Sequence, residues 1–80
     1  MANPVNTFER AKAVTPSDST VVDCEGFYVG TAGNVAVVTK RGQSDTAVTL
    51  TGCLAGTIYP IACYKIMTTN TTASNIVALY

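Results

Sequence analysis

With 80 residues the chain can form one small domain, and such a domain buries only about 60% of the surface that its unfolded chain exposes. Five basic residues balance five acidic ones, which excludes a basic stripe for nucleic acid, and the absence of histidine removes the commonest metal ligand and general base. No secretion signal and no apolar run of about 20 residues is present, so we expect cytoplasmic synthesis, no membrane partner and no cofactor or metal.

The charge content predicts a surface that contacts protein. Only 12% of the residues are charged, whereas a well-solvated monomer surface is about 25–35% charged. The three cysteines, Cys24, Cys53 and Cys63, form no C-x-x-C spacing. We expect them to be small buried hydrophobic residues in a reducing cytoplasm, and not a disulfide scaffold or a zinc site.

Residues 1–19 predict an extended N-terminal arm and not a packed element, because they combine two prolines with only isolated apolar side chains. A short helix over residues 6–12 is an alternative, although it would be marginal at that length. An arm of this kind either stays disordered or lies along a neighbour. We expect it to order against a partner, since it has apolar side chains to bury: Val5, Phe8 and Val14.

Short strands are predicted at residues 20–22 and 25–29, followed by the glycine-rich stretch 30–34. Glycine and asparagine tolerate positive φ, which predicts a tight hairpin there. A phosphate-binding loop would need a helix after it, but the run that follows is β-branched and typical of a strand. Val35 and Val37 lie on one face of this third strand. Its opposite face is also apolar, which predicts a central strand or one that sits against a subunit.

Residues 46–51 alternate with Val48 and Leu50 inward, which predicts a hairpin with the preceding strand. Residues 57–68 predict a further strand, in which Pro60 marks an edge, a bulge or a corner. After a polar turn comes an apolar strand at 76–80, which needs partners to avoid aggregation. About six short strands therefore predict an all-β domain over residues 20–80, either a small antiparallel β-barrel or a β-sandwich.

Read in order, the stretches "AKAVTPSDST", "FYVGTAGNVAVV" and "LAGTIYPIACYKIMTTNTTASNIVALY" resemble a family of short virion proteins. These are the spike-base or head-decoration proteins of tailed phages and of phage-derived gene transfer agents. The third stretch contains two blocks of the family pattern, "LAGTIYPI" and "TNTTASNIVALY", so four blocks in the same order cover most of residues 11–80. The chain departs from the family pattern at residues 63–66, where members tend to read R-V-x-R, and Cys24 and Cys53 are not part of that pattern.

The resemblance implies a virion structural protein that is not an enzyme. It implies a trimer or pentamer on the capsid surface, bound to the major capsid protein as a decoration or as a platform for a spike or fibre. In this interpretation the arm anchors to the capsid or to a sister subunit through Pro4, Val5, Phe8 and Arg10. Apolar strand residues then build the core and the contacts between subunits: Val35, Val37, Ile76, Val77 and Leu79.

Two other classes of function stay open on the residues alone. A carbohydrate- or receptor-binding module would stack sugars on tyrosines that share a surface, and Tyr59 beside Pro60 is the one expected to be exposed. An enzyme could place a hydroxyl or thiol beside a carboxylate at residues 17–19 or 23–25. Neighbours in a strand point to opposite faces, however, and no histidine is present to move the proton.

Overall fold

The structure, a computed structural model, describes residues 8–43 and 46–80. Seven strands form two antiparallel sheets, a first sheet in the order β1-β7-β2-β5 and a second sheet in the order β4-β3-β6. The predicted all-β class is confirmed, in the form of a β-sandwich. The strands are β1 (Ala11–Val14), β2 (Gly26–Thr31), β3 (Gly33–Thr39), β4 (Val48–Cys53), β5 (Thr57–Tyr59), β6 (Cys63–Met67) and β7 (Ser74–Leu79).

The core lies between the inner faces of the two sheets. Alternate residues of β2 and β7 meet alternate residues of β3 and β6 there, as the period of two in a strand requires. Burying one large apolar side chain of this kind contributes roughly 1.5–3 kcal/mol. The core contains Cys24, Phe27, Val29, Val35, Val37, Cys53, Cys63, Ile66, Ala73, Ile76 and Ala78.

The hairpin predicted at residues 30–34 is wrong, because β2 and β3 belong to different sheets and the chain crosses between them at Ala32. Gly30 and Gly33 do not have positive φ. They are glycines because other backbone lies too close for a side chain. A Cβ on Gly30 would lie 2.8 Å from the carbonyl oxygen of Asn75, and one on Gly33 would lie 2.6 Å from the backbone nitrogen of Ala73.

The single strand predicted at residues 57–68 is two strands in different sheets. β5 pairs with β2 in the first sheet and β6 pairs with β3 in the second. Pro60 lies between them, where its missing N–H ends the ladder. Of the three roles predicted for Pro60, an edge, a bulge or a corner, the structure has the corner, since the chain changes sheets there.

β3 is the central strand of the second sheet, as predicted, and its residues from Val35 to Val38 are all buried. The predicted pairing with β4 is also confirmed, with Val37 opposite Val48. Val48 projects from the same face as its core partner Val37, as predicted, but it is 56% exposed because it lies on the edge strand β4. On the other side of β3, the backbone N–H of Ala36 donates to the hydroxyl of Thr71, 2.9 Å away, which ties the 68–73 loop to the sheet.

Part of the predicted arm is an edge strand of the first sheet. β1 pairs with β7 over four residues, from Ala11 opposite Leu79 to Val14 opposite Ile76. The helix considered over residues 6–12 is not formed in its described part, since Ala11 and Lys12 lie in this strand. The division of the chain at residue 19 stays a prediction. β7 is thus paired on both sides, by β1 and β2, as the need of this strand for partners predicted.

The strand predicted at residues 20–22 is not formed. This segment instead follows the open edge of β6, where the N–H groups of Val22 and Asp23 both donate to the carbonyl of Tyr64, at 2.8 and 3.1 Å. Asp23 has φ of 53° and directly precedes an isolated bridge between Cys24 and Cys63. The segment covers an edge that would otherwise expose unpaired backbone groups.

Candidate interaction surface

An apolar row crosses the outside of the first sheet from edge to edge. The strand registers place Ala13 opposite Val77, Val77 opposite Tyr28, and Tyr28 opposite Ile58, one residue from each strand. Directly opposed residues in antiparallel strands project from the same face. Their chain neighbours, such as Phe27 and Ile76, point into the core. We call this row, with the residues beside it, the outer face: Ala11, Ala13, Tyr28, Ile58, Val77 and Leu79.

The outer face is open to different degrees along the row. Ile58 is 47% exposed and Ala13 is exposed, whereas Tyr28 and Val77 are half-buried. Each of these side chains can therefore contact a partner without unfolding of the sheet. An uncharged row of this kind, exposed on a small domain, is typical of a protein contact.

Phe8 lies on the same side of the first sheet, at its second row. A Cβ built on Gly26 would lie 3.1 Å from the Phe8 ring, so Gly26 leaves room for that ring. Leu79 is the register partner of Gly26 and of Ala11, which places these residues in one row. Phe8 thus extends the outer face with an aromatic ring.

Arg10 lies close to the last residue of the chain. Its guanidinium carbon is 5.0 Å from the centre of the Tyr80 ring, within the range of a cation–π contact. The backbone N–H groups of Glu9 and Arg10 donate to the carbonyl of Tyr80, and the Tyr80 N–H donates back to Arg10. The Tyr80 hydroxyl donates to the carbonyl of Val22 at 2.8 Å. These bonds hold the start of the described chain beside β7.

The arm and strand residues predicted from sequence divide into four groups. Val35, Val37 and Ile76 lie in the core, while Val77 and Leu79 are half-buried on the outer face. Phe8 and Arg10 are placed as described above. The remaining two arm residues, Pro4 and Val5, lie outside the described residues.

The exposed ring predicted at Tyr59 is not observed. Tyr59 is half-buried against the core, its ring stacks on Phe27 with 5.5 Å between centroids, and its hydroxyl accepts from the backbone N–H of Leu54. Tyr28 lies on the outer face and Tyr80 is bonded to Val22. These tyrosines therefore do not form one platform on which a sugar could stack.

The carboxylates beside hydroxyls or thiols all have structural partners. The Asp18 carboxylate accepts from the backbone N–H groups of Thr68 and Thr69, at 2.9 and 3.0 Å, and from the Thr69 hydroxyl. These bonds hold the pKa of Asp18 below its usual value. Asp23 and Glu25 both pair with Lys40, at 3.6 and 2.7 Å, and the hydrogen bond that Lys40 donates to Glu25 raises the pKa of Lys40.

The described residues offer little to a small ligand or a metal ion. A groove of about 100 Å³ lies beside β1, lined by residues 12–15, 20–22 and 80, whereas sites for drug-sized ligands occupy about 300–1,000 Å³. Within residues 8–43 and 46–80, no three histidine, cysteine, aspartate or glutamate side chains cluster to hold a metal ion. The same part of the chain has no helix long and apolar enough to cross a membrane.

Sequence reasoning missed Ala13 and Ile58 as surface residues. The alternation in each strand shows which residues lie opposite the core, so it predicts that Tyr28 points away from Phe27. Alternation within one strand does not give the register between strands. The row emerges only when four strands from distant parts of the chain are aligned.

No protein-family model matches the chain, and no curated protein matches it significantly. Among solved structures, it is similar to a chain in the capsid of a native gene transfer agent (GTA) particle computed with C5 symmetry. The match has a TM-score of 0.77 and 30% sequence identity, and it covers 92% of this chain and 84% of that one. The β-sandwich described above is therefore shared along almost the whole length of both chains. At this identity and coverage, the present chain belongs to the same family as that component of the GTA capsid.

Proposed function

We propose that this protein is a virion structural protein on the capsid surface of a phage-like particle. The observation that carries the proposal is the match to the GTA capsid chain over 92% of the present chain. It acts there as an oligomeric decoration or as a base platform that anchors a head spike or fibre. Its function lies in its contacts and not in catalysis.

The outer face supports this proposal. A domain of 80 residues buries little apolar surface in its own core, so apolar side chains left in solvent weaken a domain that is already marginally stable. A row that includes Ile58 and Val77 leaves apolar side chains uncovered on the larger of the two sheets. A neighbouring subunit or the capsid covers this face in the particle. Val77 and Leu79 are half-buried, so they pack on the first sheet and also contact the partner. This is the role expected for them from sequence.

The arm is the second contact in this proposal. Phe8 lies on the outer face at Gly26, and the arm residues before it in the sequence include Pro4 and Val5. They bind the major capsid protein or a sister subunit. Arg10 holds the middle of the arm against Tyr80.

The proposed partners are further copies of the chain, the major capsid protein, and a spike or fibre protein. The C5 symmetry with which the related capsid was computed is compatible with a pentamer, and a trimer is the alternative for a decoration at a threefold position. The chain is made in the cytoplasm of the host bacterium and then joins the virion. The alternative function, carbohydrate or receptor binding, is not favoured by the separated tyrosines.

A charge placed on the outer face tests the contact. Ile58→Glu should weaken binding to particles assembled without this protein by tenfold or more, because a carboxylate would lose its hydration in the contact. Val48→Glu is the matched control, since Val48 is 56% exposed and Ile58 47%, but Val48 lies on the second sheet. Sedimentation of labelled protein with the particles measures binding, and light scattering gives a mass of three or five times the 8.3 kDa chain for an oligomer.

The possible outcomes distinguish an error in the proposed function from an error in the proposed contact surface. If the wild-type protein neither forms a discrete oligomer nor binds particles, the proposed function is wrong. If it binds and Ile58→Glu binds equally well, the outer face is not the contact. A variant without residues 1–7 tests the arm and keeps β1, whereas removal of residues 1–14 would also delete that strand.

A further inference from the structure

Two cysteines far apart in sequence lie opposite one another in the structure. The N–H of Cys24 donates to the carbonyl of Cys63 at 2.9 Å, and the N–H of Cys63 donates back to Cys24 at 3.0 Å. Residues opposed in this way have Cα atoms about 5.5 Å apart and project to the same face. Cysteines joined by a disulfide have Cα atoms about 4.4–6.8 Å apart. The backbone spacing at this bridge therefore already fits a disulfide.

Forming the disulfide requires only a small further movement of the two cysteines, and the backbone beside Cys24 can make this movement. Opposed Cβ atoms lie about 4.5–5.5 Å apart, against about 3.5–4.5 Å in a disulfide, so the two must approach by about 1 Å. Val22 and Asp23 both donate to the carbonyl of Tyr64, which is the pattern of a bulge directly before Cys24. This segment lies at the edge of the second sheet, so it can move without disturbing the central strand β3.

The third cysteine is far from this pair. Cys53 is the register partner of Gly33 and Cys63 that of Thr39, which places them at opposite ends of β3. Six residues of strand separate these ends by about 20 Å. The thiol of Cys53 lies 3.5 Å from the carbonyl of Leu50, to which it donates.

We propose that Cys24 and Cys63 are an oxidation site of the folded protein, and that a peroxide converts them to a disulfide in which Cys53 takes no part. Both side chains are fully buried in the core. The oxidant is therefore expected to be small and uncharged, and hydrogen peroxide is such a molecule.

The chemistry needs one thiolate and one neighbouring thiol. Hydrogen bonding from Cys63 lowers the pKa of Cys24 to about 7, so a fraction of Cys24 is thiolate near neutral pH. The same contact and burial raise the pKa of Cys63, which keeps its proton. The Cys24 thiolate attacks peroxide, the O–O bond breaks, and a sulfenic acid and hydroxide form. The Cys63 sulfur then attacks the Cys24 sulfur, the S–O bond breaks, and the departing hydroxide takes the Cys63 proton as water.

The site is tested in the folded Cys53→Ala variant, which retains only the two cysteines of the pair. It is treated with hydrogen peroxide for the time that fully oxidises the same chain in denaturant. The expected product is a monomer lighter by two hydrogen atoms, without free thiols. Trypsin should release residues 13–40 and 42–65 as one joined species that reduction separates. The disulfide should also raise the unfolding temperature by about 10 °C or more relative to the reduced protein.

The wild-type protein provides a second measurement that needs no substitution. Oxidation should consume two of its three thiols and leave Cys53 free for alkylation. Retention of all three thiols in the folded protein would overturn the proposal. So would a sulfinic acid on Cys24, a crosslinked dimer, or a disulfide that includes Cys53.

Discussion

Asp18 shows how one exposed side chain joins distant parts of this small fold. Its carboxylate accepts three hydrogen bonds from residues about fifty positions later in the chain, at the turn between β6 and β7. Ser17 adds a backbone bond to Ile66. These contacts hold the 15–20 segment beside a loop that in turn covers β3 through Thr71.

Asp18→Asn should lower the unfolding temperature at pH 7 by a few degrees, because an amide accepts these hydrogen bonds more weakly than a carboxylate. Since the pKa of Asp18 in the folded protein is below its unfolded value near 3.8, its contribution to stability is complete above that value. The contribution is lost as pH falls through the lower, folded pKa. The unfolding temperature of the variant should therefore fall less between pH 7 and pH 2 than that of the wild type.

Glu9→Gln is the control for Asp18→Asn, since it removes the same charge from another exposed side chain. It should leave the unfolding temperature at pH 7 nearly unchanged. Equal effects of the two substitutions would mean that net charge, and not the bonds to Thr68 and Thr69, accounts for the change.

Cysteine composition predicted the burial of the three thiols but not their grouping. All three are buried, as their hydrophobic character indicated. Their spacing in sequence contains nothing that brings Cys24 to Cys63, because the bridge depends on how the 20–24 segment lies along β6. A sequence pattern can indicate whether a residue is buried. Which residue lies beside it depends on the topology of the strands.

At the scale of elements, the crossing from β2 to β3 depends on close backbone packing. Gly33→Ala should destabilise the protein by about 1–3 kcal/mol, because the new methyl group would lie 2.6 Å from backbone that cannot move freely. Chemical denaturation measures the free energy of unfolding. Ala32→Gly, at the adjacent exposed position, should change it by less than about 1 kcal/mol. If both variants were equally stable, packing would not explain the glycine at position 33.

This crossing also explains why one predicted element was wrong. Glycine-rich stretches between strands serve either turns with positive φ or close approaches of backbone, and both uses give the same local sequence. Proline is less ambiguous than glycine, because it has no N–H and cannot continue a ladder of backbone hydrogen bonds. Of the roles predicted for Pro60, the structure has the corner. β2, β3, β4 and β7, and the pairing of β3 with β4, followed from alternation and short spacing. The assignment of strands to two sheets did not, because it depends on contacts between distant residues.

At the scale of the whole molecule, the proposed oligomer should be visible in stability. Association stabilises the folded state, so the unfolding temperature of the wild-type protein should rise over a roughly hundredfold increase in protein concentration. Circular dichroism at each concentration measures it. Ile58→Glu should remove this dependence, and Val48→Glu should keep it. A wild-type unfolding temperature independent of concentration would contradict self-association through the outer face.

The family could be suspected from the order of four short blocks along the chain, although each block alone is a common β-and-turn pattern. The outer face could not, because Ala13, Tyr28, Ile58 and Val77 become neighbours only through three separate registers. Physical reasoning on composition predicted that apolar surface would meet protein. The structure was needed to find where that surface lies.

The position of β7 in the first sheet also determines the order of events during synthesis. β7 separates β1 from β2, and in the sequence β1 (Ala11–Val14) and β2 (Gly26–Thr31) both lie far before β7 (Ser74–Leu79). As the ribosome delivers the chain, β1 has no partner and β2 has only the short β5 until residues 74–79 emerge. The first sheet therefore forms after translation of β7, through pairings of long sequence separation that are slow to form. Until then the nascent β2, with its apolar residues, depends on the speed of elongation and on chaperones to avoid pairing with other chains.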